Sequence, residues 1–459
     1  MANPSLTEYI SQSQRGLYQS VFGPEYMMKQ NYFTVDGTGT GIFDATYGRK
    51  VWQALNNQTR FFNAIPRVVW GNTAGWRVRT DRGAGRSRPV TEIGSLPTVD
   101  ISDIQTVSSL PRITATTFGA SVKSVFTAQL EGGVGDVLAL ENENAQLDHV
   151  KEINEELLAG SAYLAQGGAT TRVDVPAAIA KNFKIGDKIT VWDTSANAWI
   201  NTSGLTVSAV NTTNGQVTLS DTASVTIADG DLAAIYSRAG FTSIDDIVAE
   251  DGMLFADNSG STTSNAAFGA NGGVRAYDLT YADRVGGAWN SAAHVSMNSG
   301  TGRDLSLNLI DTCIQKIREN GGEPKLILMG HDQYFKLERL LNSQQRYMGQ
   351  EEYQVGVGAE RTFPGTRTGL VLATYMGIPI LPDADVPKSV ATDNSVLGSN
   401  IYVLDTDYIE MAVAQPTQYV ENRDYFAATQ LVVRGLLYTM GEMRCKNIWV
   451  QAKIGDLNA

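Results

Sequence analysis

The sequence predicts an α+β chain that carries an inserted, small all-β, barrel-like domain. Three observations lead there. Val137–Ala165 reads as one long helix, the longest uninterrupted helical stretch in the chain. Residues 168–240 turn to Thr, Val and Ile, with turn formers every eight to twelve positions. From residue 304 onward, helices and buried strands alternate before the chain closes on long strands.

The helix has an apolar stripe of Leu140, Leu147, Val150, Leu157 and Leu164, widened by Ile153 and Leu158. Asp136 is placed to cap its start, and Gly167–Gly168 supplies a stop. At full length it spans roughly 40 Å. The opposite face carries Glu141, Glu143, Asp148, Glu152 and Glu155, which by themselves read as a solvated face.

At 459 residues the chain is too long for one ordinary core, so two to four compact units are expected. Apolar content of 42% and charged content of 18% are values of a folded protein. No apolar run approaches the length of a membrane span, and MANPSLTEYISQSQRG lacks the features of a signal peptide. Cys313 and Cys445 are the only cysteines, which argues against a structural disulfide and for synthesis in a reducing compartment. A formal charge of −12 argues against a protein whose main task is gripping nucleic acid phosphates, yet allows a neutral surface beside packed DNA.

Residues 1–62 read as an extended arm with two short helical pieces, EYISQSQRGLYQSV and TYGRKVWQALNNQ. Its aromatics, with few clustered aliphatics, need another surface to bury them. Residues 63–128 alternate in the β manner around a long polar tip, DRGAGRSRPVTEIGSLPTVDISDIQTVSSLP. Between Arg67 and Arg88 lie six arginines and one acid, Asp81. Arg77, Arg79, Arg82, Arg86 and Arg88 are candidates to meet carboxylates on another subunit. Asp136–Glu156 is the natural target, with seven acids against one lysine.

In 168–240, five or six short strands form a module of their own, and Asn214–Gly215 marks a hairpin. FKIGDKITV with the following turn resembles small SH3-like barrels. Residues 241–303 are mixed, with a helix starting in FTSIDDIVAEDG, a Gly/Ser/Asn loop and an aromatic stretch. DLSLNLIDTCIQKIREN is a helix with Leu305, Leu309, Cys313 and Ile317 on one face, KLILMG a buried strand, and HDQYFKLERLLNSQQRY a second helix. NIYVLDTDYIEMAVAQPTQYVE and YFAATQLVVRGLLYTMGEMRCKNIWVQAKI are long returning strands.

No catalytic pair, cofactor motif or metal spacing stands out. His149, His294 and His331 are widely separated. His331-Asp332 follows a strand, where α/β enzymes place catalytic groups, but also reads as an ordinary helix start. Gly37–Gly41 and Gly356–Gly358 lack the lysine and context of a phosphate loop, and Asp257–Gly260 lacks the closing Glu of a calcium loop. The sequons at Asn57, Asn201 and Asn211 mean little without a secretory signal.

Taken in order, the parts resemble the major capsid proteins of tailed bacteriophages and related viruses, the HK97 fold. GGEPKLILMGHDQYFKLERL resembles that family's axial helix–strand–helix, and YMGIPILPDADVP its G-x-P pattern, here Gly377, Pro379 and Pro382. The string from Asp424-Tyr425-Phe426 to the last strand resembles the family's final strand pair. FTSIDDIV followed by the Trp289-containing stretch resembles the join between spine helix and axial domain.

The resemblance implies an N-terminal arm at 1–62 and an extended loop (E-loop) with its base at 63–128. A peripheral domain with its spine helix follows at 129–167, then the all-β insertion at 168–240. Residues 241–303 join the peripheral and axial domains, 304–420 form the axial domain, and 421–459 return as strands. It implies a non-enzymatic shell protein, assembled in a host cytoplasm into hexamers and pentamers of itself around packaged double-stranded DNA, without sequence-specific contact. Portal, scaffolding and decoration proteins are the further partners; no membrane or cofactor is implied. Lys123, the only lysine in 63–128, sits at the loop's base, so no Lys–Asn cross-link through the loop is expected. The arm lacks a long charged coiled coil, so any scaffold is expected to be a separate protein. An encapsulin-type cage, a β-rich adhesion protein and a hydrolase using His331 and Asp332 are the alternatives.

Overall fold

A computed structural model of the chain describes residues 59–70, 75–79, 87–123, 125, 137–248, 277, 293–344, 374–422 and 432–459, with short breaks inside those ranges. The two arm helices, the Gly/Ser/Asn loop of 255–273, Trp289, the polar stretch 348–368 and Asp424-Tyr425-Phe426 lie outside the described residues. By contacts the chain falls into two units, Met1–Leu55 with Gly119–Glu141 and Arg423–Val433, and Asn56–Phe118 with Asn142–Asn422 and Arg434–Ala459. In the first, the described residues are chiefly the end of one strand and the starts of a helix and another strand. The second holds the sheets and cores.

The spine helix runs Val137–Leu158, 22 residues or about 33 Å. It stops at Leu158 rather than Ala165, and Ala162–Gln166 is a strand instead. Tertiary contacts end it. Arg238 Nη2 donates to the carbonyls of Ala159 at 3.1 Å and Gly160 at 2.7 Å, filling acceptors a helix end leaves open. Ser161 N donates to Asp245 Oδ2 at 2.7 Å. A side chain at Gly160 would fall 1.8 Å from the Tyr163 hydroxyl, so the turn out of the helix needs glycine here.

Ala162–Gln166 is the edge of an eight-stranded sheet that takes in most of the inserted residues. It pairs antiparallel with Asp229–Ser237, which pairs in turn with Lys188–Asp193. Leu205–Asn211 and Gln216–Leu219 form the hairpin expected at Asn214–Gly215. Gly215 has φ +71°, and a Cβ there would strike the Val175 carbonyl at 1.9 Å. The segment read as a module of its own shares its core with the spine helix. Val173, Phe183, Ile189, Leu205, Val217 and Ile235 join Ile153, Leu157 and Leu158 in one cluster of buried side chains.

A six-stranded mixed sheet forms the axial part, in the order His294–Ser296, Ala452–Ile454, Ile401–Leu404, Leu326–Met329, Ile378–Pro382, Thr374–Tyr375. Leu326–Met329 is buried along its whole length, as a strand covered on both faces must be. The helix Leu307–Glu319 packs Ile310, Cys313, Ile314 and Ile317 into this second core, with Leu309 half-buried beside them.

The long strand expected through NIYVLDTDYIEMAVAQPTQYVE is divided between two sheets. Ile401–Leu404 stays in the axial sheet, and Ile409–Asn422 begins after a turn in which Asp407 N donates to Asp405 Oδ1 at 3.2 Å. Ile409–Asn422 then pairs with Val432–Cys445 in a four-stranded sheet, flanked by Arg67–Val69 and Arg112–Ser121. The register slips between Gln415 and Gln418, around Pro416, which has no N–H to donate.

Candidate inter-subunit surface

The E-loop is rooted on two strands, Gly75–Arg79 and Ile104–Ser108, paired antiparallel from Gly75 opposite Ser108 to Arg79 opposite Ile104. Alternation puts Val78 and Val107 into the core and leaves Arg77 and Arg79 exposed. Arg82, Arg86 and Arg88 lie outside the described residues.

Between the strands, the loop exposes a series of aliphatic side chains, Val90, Ile93, Leu96, Val99 and Ile101, continued by Ile104 at the start of the second strand. Ile93 is 97% exposed and Val99 100% exposed. Each such side chain is worth about 1.5–3 kcal/mol when fully buried, so covering this loop would be favourable. The polar reading of the tip missed them because Pro, Thr, Ser and Asp separate them.

The five acids of the spine helix divide into two groups. Glu143 and Asp148 are exposed and Glu141 is half-buried. Glu152 and Glu155 are already engaged within the chain, because Lys184 Nζ lies 2.6 Å from Glu152 Oε1 and 3.6 Å from Glu155 Oε2. Leu147, placed on the apolar stripe, is instead exposed. The buried face runs through Ala145, His149, Ile153, Glu156 and Leu157, at the helical period but with three polar side chains, His149, Asn154 and Glu156, drawn inward. The only signal for His149 and Glu156 in the sequence was their spacing from Ile153.

The foot of the loop's return strand, Arg112–Ser121, is held by these same buried groups and by Glu442 on Val432–Cys445. Burial pushes Glu156 up to about 7, although the Thr114 hydroxyl works against it. Burial likewise pushes Glu442 up to about 7 against the pull of Arg112. His149 is held below the usual imidazole range by burial, with Glu152 opposing.

His331 and Asp332 open the helix His331–Gln344. Asp332 Oδ2 accepts from Ser399 N at 2.8 Å, tying that helix to a neighbouring strand. Half-burial opposes ionisation of Asp332, but the Ser399 N–H and hydroxyl outweigh it and keep the carboxyl below its ordinary value. Its chemistry here is that of a helix-start acceptor. Among the described residues no group of three His, Cys, Asp or Glu side chains could hold a metal ion, and no helix is long and apolar enough to cross a membrane.

The sheets, spine helix and long loop make an HK97-like fold. More particularly, residues 261–445 match the family model of the SU10 major capsid protein. Among solved structures, the chain is similar to the "Cyanophage A-1(L) capsid asymmetric unit", at 12% identity over 91% of this chain and 98% of that one, with a TM-score of 0.55. It is also similar to the "Capsid of empty GTA particle computed with C5 symmetry", at 10% identity, 93% and 98% coverage and a TM-score of 0.48. For "Gordonia phage Cozz" the values are 10% identity, 93% and 98% coverage and a TM-score of 0.44. No curated protein matches the sequence.

Proposed function

We propose that this chain is a major capsid protein, many copies of which tile a closed shell around packaged double-stranded DNA. The observation that carries this reading is the row of exposed aliphatic side chains on a loop rooted in a capsid-type fold. Such a loop gains its buried surface from a neighbour, and closed symmetry lets many modest contacts add up. Hexamers and pentamers are the capsomers, and the DNA is enclosed without sequence-specific contact. The location is the virion shell, assembled in the host cytoplasm, with portal, scaffolding and decoration proteins as partners. Catalysis has no part in it.

In this reading Arg77, Arg79, Arg82, Arg86 and Arg88 meet acids of an adjacent copy. Glu143 and Asp148 suit that role best, since Glu152 and Glu155 already face Lys184. The inserted sheet is a surface for neighbouring subunits or a decoration protein.

Electron microscopy of the purified chain tests the reading. Wild type is expected to form closed shells, and Ile93→Asp with Val99→Asp to give folded, soluble subunits that do not close. A wild-type chain that stays a compact monomer at high concentration would overturn it. Normal shells from Arg77→Glu with Arg82→Glu would remove the arginine contacts but not the shell.

A further inference from the structure

One face of the strand Arg112–Ser121 presents Arg112, Thr114 and Thr116 at alternate positions, and each meets a different buried titratable group. Arg112 Nε lies 3.1 Å from Glu442 Oε2. The Thr114 hydroxyl donates to Glu156 Oε2 at 2.6 Å. The Thr116 hydroxyl lies 3.0 Å from His149 Nδ1, and His149 Nε2 lies 2.8 Å from the Thr439 hydroxyl. Glu156 and His149 are two turns apart on the spine helix, while Glu442 and Thr439 belong to the returning strand.

The two carboxyls also hold consecutive amides where the chain leaves the inserted sheet. Phe241 N donates to Glu156 Oε2 at 3.2 Å, and Thr242 N to Glu442 Oε1 at 2.7 Å. Arg112 Nη1 donates to the carbonyls of Arg238 and Gly240. A Cβ on Gly240 would lie 2.6 Å from the Glu156 carboxyl, so the backbone is packed directly against it.

The other charges around this joint are accounted for. Glu152 and Lys184 act on Glu156 with opposite signs, and Glu152 also acts on His149. Arg238 is committed to Asp246 and Asp187, leaving only its carbonyl to Arg112. Glu442 has Arg112 as its cation.

We propose that this seat is a proton-linked joint, through which ambient acidity sets how firmly the base of the E-loop is rooted. The step is a proton exchange with solvent, and no bond other than to hydrogen changes. Seating draws protons onto Glu156 and Glu442, whose values rise from 4.5 in water to about 7 in the seat. Seating also sheds a proton from His149, whose value falls below its ordinary 6.5. Between about pH 4.5 and 7 the carboxyls therefore favour opening as pH rises, each by up to about tenfold per pH unit. His149 favours opening as pH falls below about 6.5. Two carboxyls that take up protons outweigh one imidazole that releases at most one, so the net slope is toward opening with rising pH. That the loop reaches a neighbouring copy rests on the proposed function; the joint itself belongs to the single chain.

Hydrogen exchange of the peptide spanning residues 112–118, followed from about pH 5 to 7 on the purified chain and corrected for intrinsic exchange, tests it. The opening constant of wild type is expected to rise by about tenfold per pH unit. In Glu156→Gln with Glu442→Gln, which keeps the acceptors without their charge, the slope is expected to change sign. Thr114→Val removes a hydroxyl that holds the Glu156 value down, so it should raise the opening constant while keeping the sign of the slope, with the rise continuing to higher pH than in wild type. A flat wild-type profile, or a double Gln variant with the wild-type slope, would overturn the joint and leave shell formation untouched.

Discussion

Lys184 Nζ lies 2.6 Å from Glu152 Oε1, a contact that pins the inserted sheet to the acidic side of the spine helix. Both partners are partly exposed, so their attraction is screened and the pair is worth only about 0.2–1 kcal/mol. Lys184→Glu would place a third acid beside Glu152 and Glu155. A loss of about 1 kcal/mol in urea unfolding is expected, reduced by added salt. No change in stability would mean that the apolar core alone holds the insert.

A stronger clamp lies where the chain comes out of the arm. Asp383 Oδ2 accepts from Phe61 N at 3.1 Å and Oδ1 from Asp385 N at 3.0 Å, with the carboxyl fully buried. Asn154 joins the clamp, donating to Asp385 Oδ2 at 2.6 Å and accepting from Phe62 N at 3.0 Å. Asp383→Ala strands two buried amides and is expected to cost about 2–4 kcal/mol by chemical denaturation. Asp383→Asn keeps an acceptor and should cost less than half of that.

Arg238 ends the spine helix and is itself buried, with Nε 2.5 Å from Asp246 Oδ2. Arg238→Met would leave Asp246 and Asp187 buried without their cation and the carbonyls of Ala159 and Gly160 without a donor. The expected loss is about 3–5 kcal/mol, read as a large fall in thermal midpoint. Asp246→Asn in the same background should recover part of it, because the stranded charge is then gone.

Burial pushes the Cys313 thiol up to about 12, against a smaller opposing pull from Arg303. At about pH 8 only about one molecule in ten thousand would carry the thiolate. Cys313 is therefore expected to resist a thiol reagent in the folded chain and to react at once in guanidinium. Rapid labelling of the folded protein would show that the axial helix opens readily.

Elements whose signal is local were legible in the sequence. Leu307–Glu319, Leu326–Met329 and the hairpin at Asn214–Gly215 follow from side-chain period and turn chemistry within a dozen residues. Where long-range partners decide, the reading failed. The helix continued on paper through Gly160, because nothing nearby says that Arg238 takes the carbonyls of Ala159 and Gly160 just past its end. Leu147 looked like core yet is exposed, while Glu156, which was assigned to neither face, is buried. A charged residue goes inside only when distant donors await it, here Thr114 and Phe241 N.

By itself the sequence determined the succession of parts: an acidic spine, a Thr- and Val-rich insert, an axial α/β segment and long returning strands. It also marked the strands of the arginine-rich hairpin by their alternation, since alternation and composition are properties of neighbouring residues. Only the tertiary structure decided where the spine stops, that the insert shares its core with that helix, and which acids are spoken for. Those outcomes depend on hydrogen bonds and packing between residues tens to hundreds of positions apart, which local periodicity does not encode.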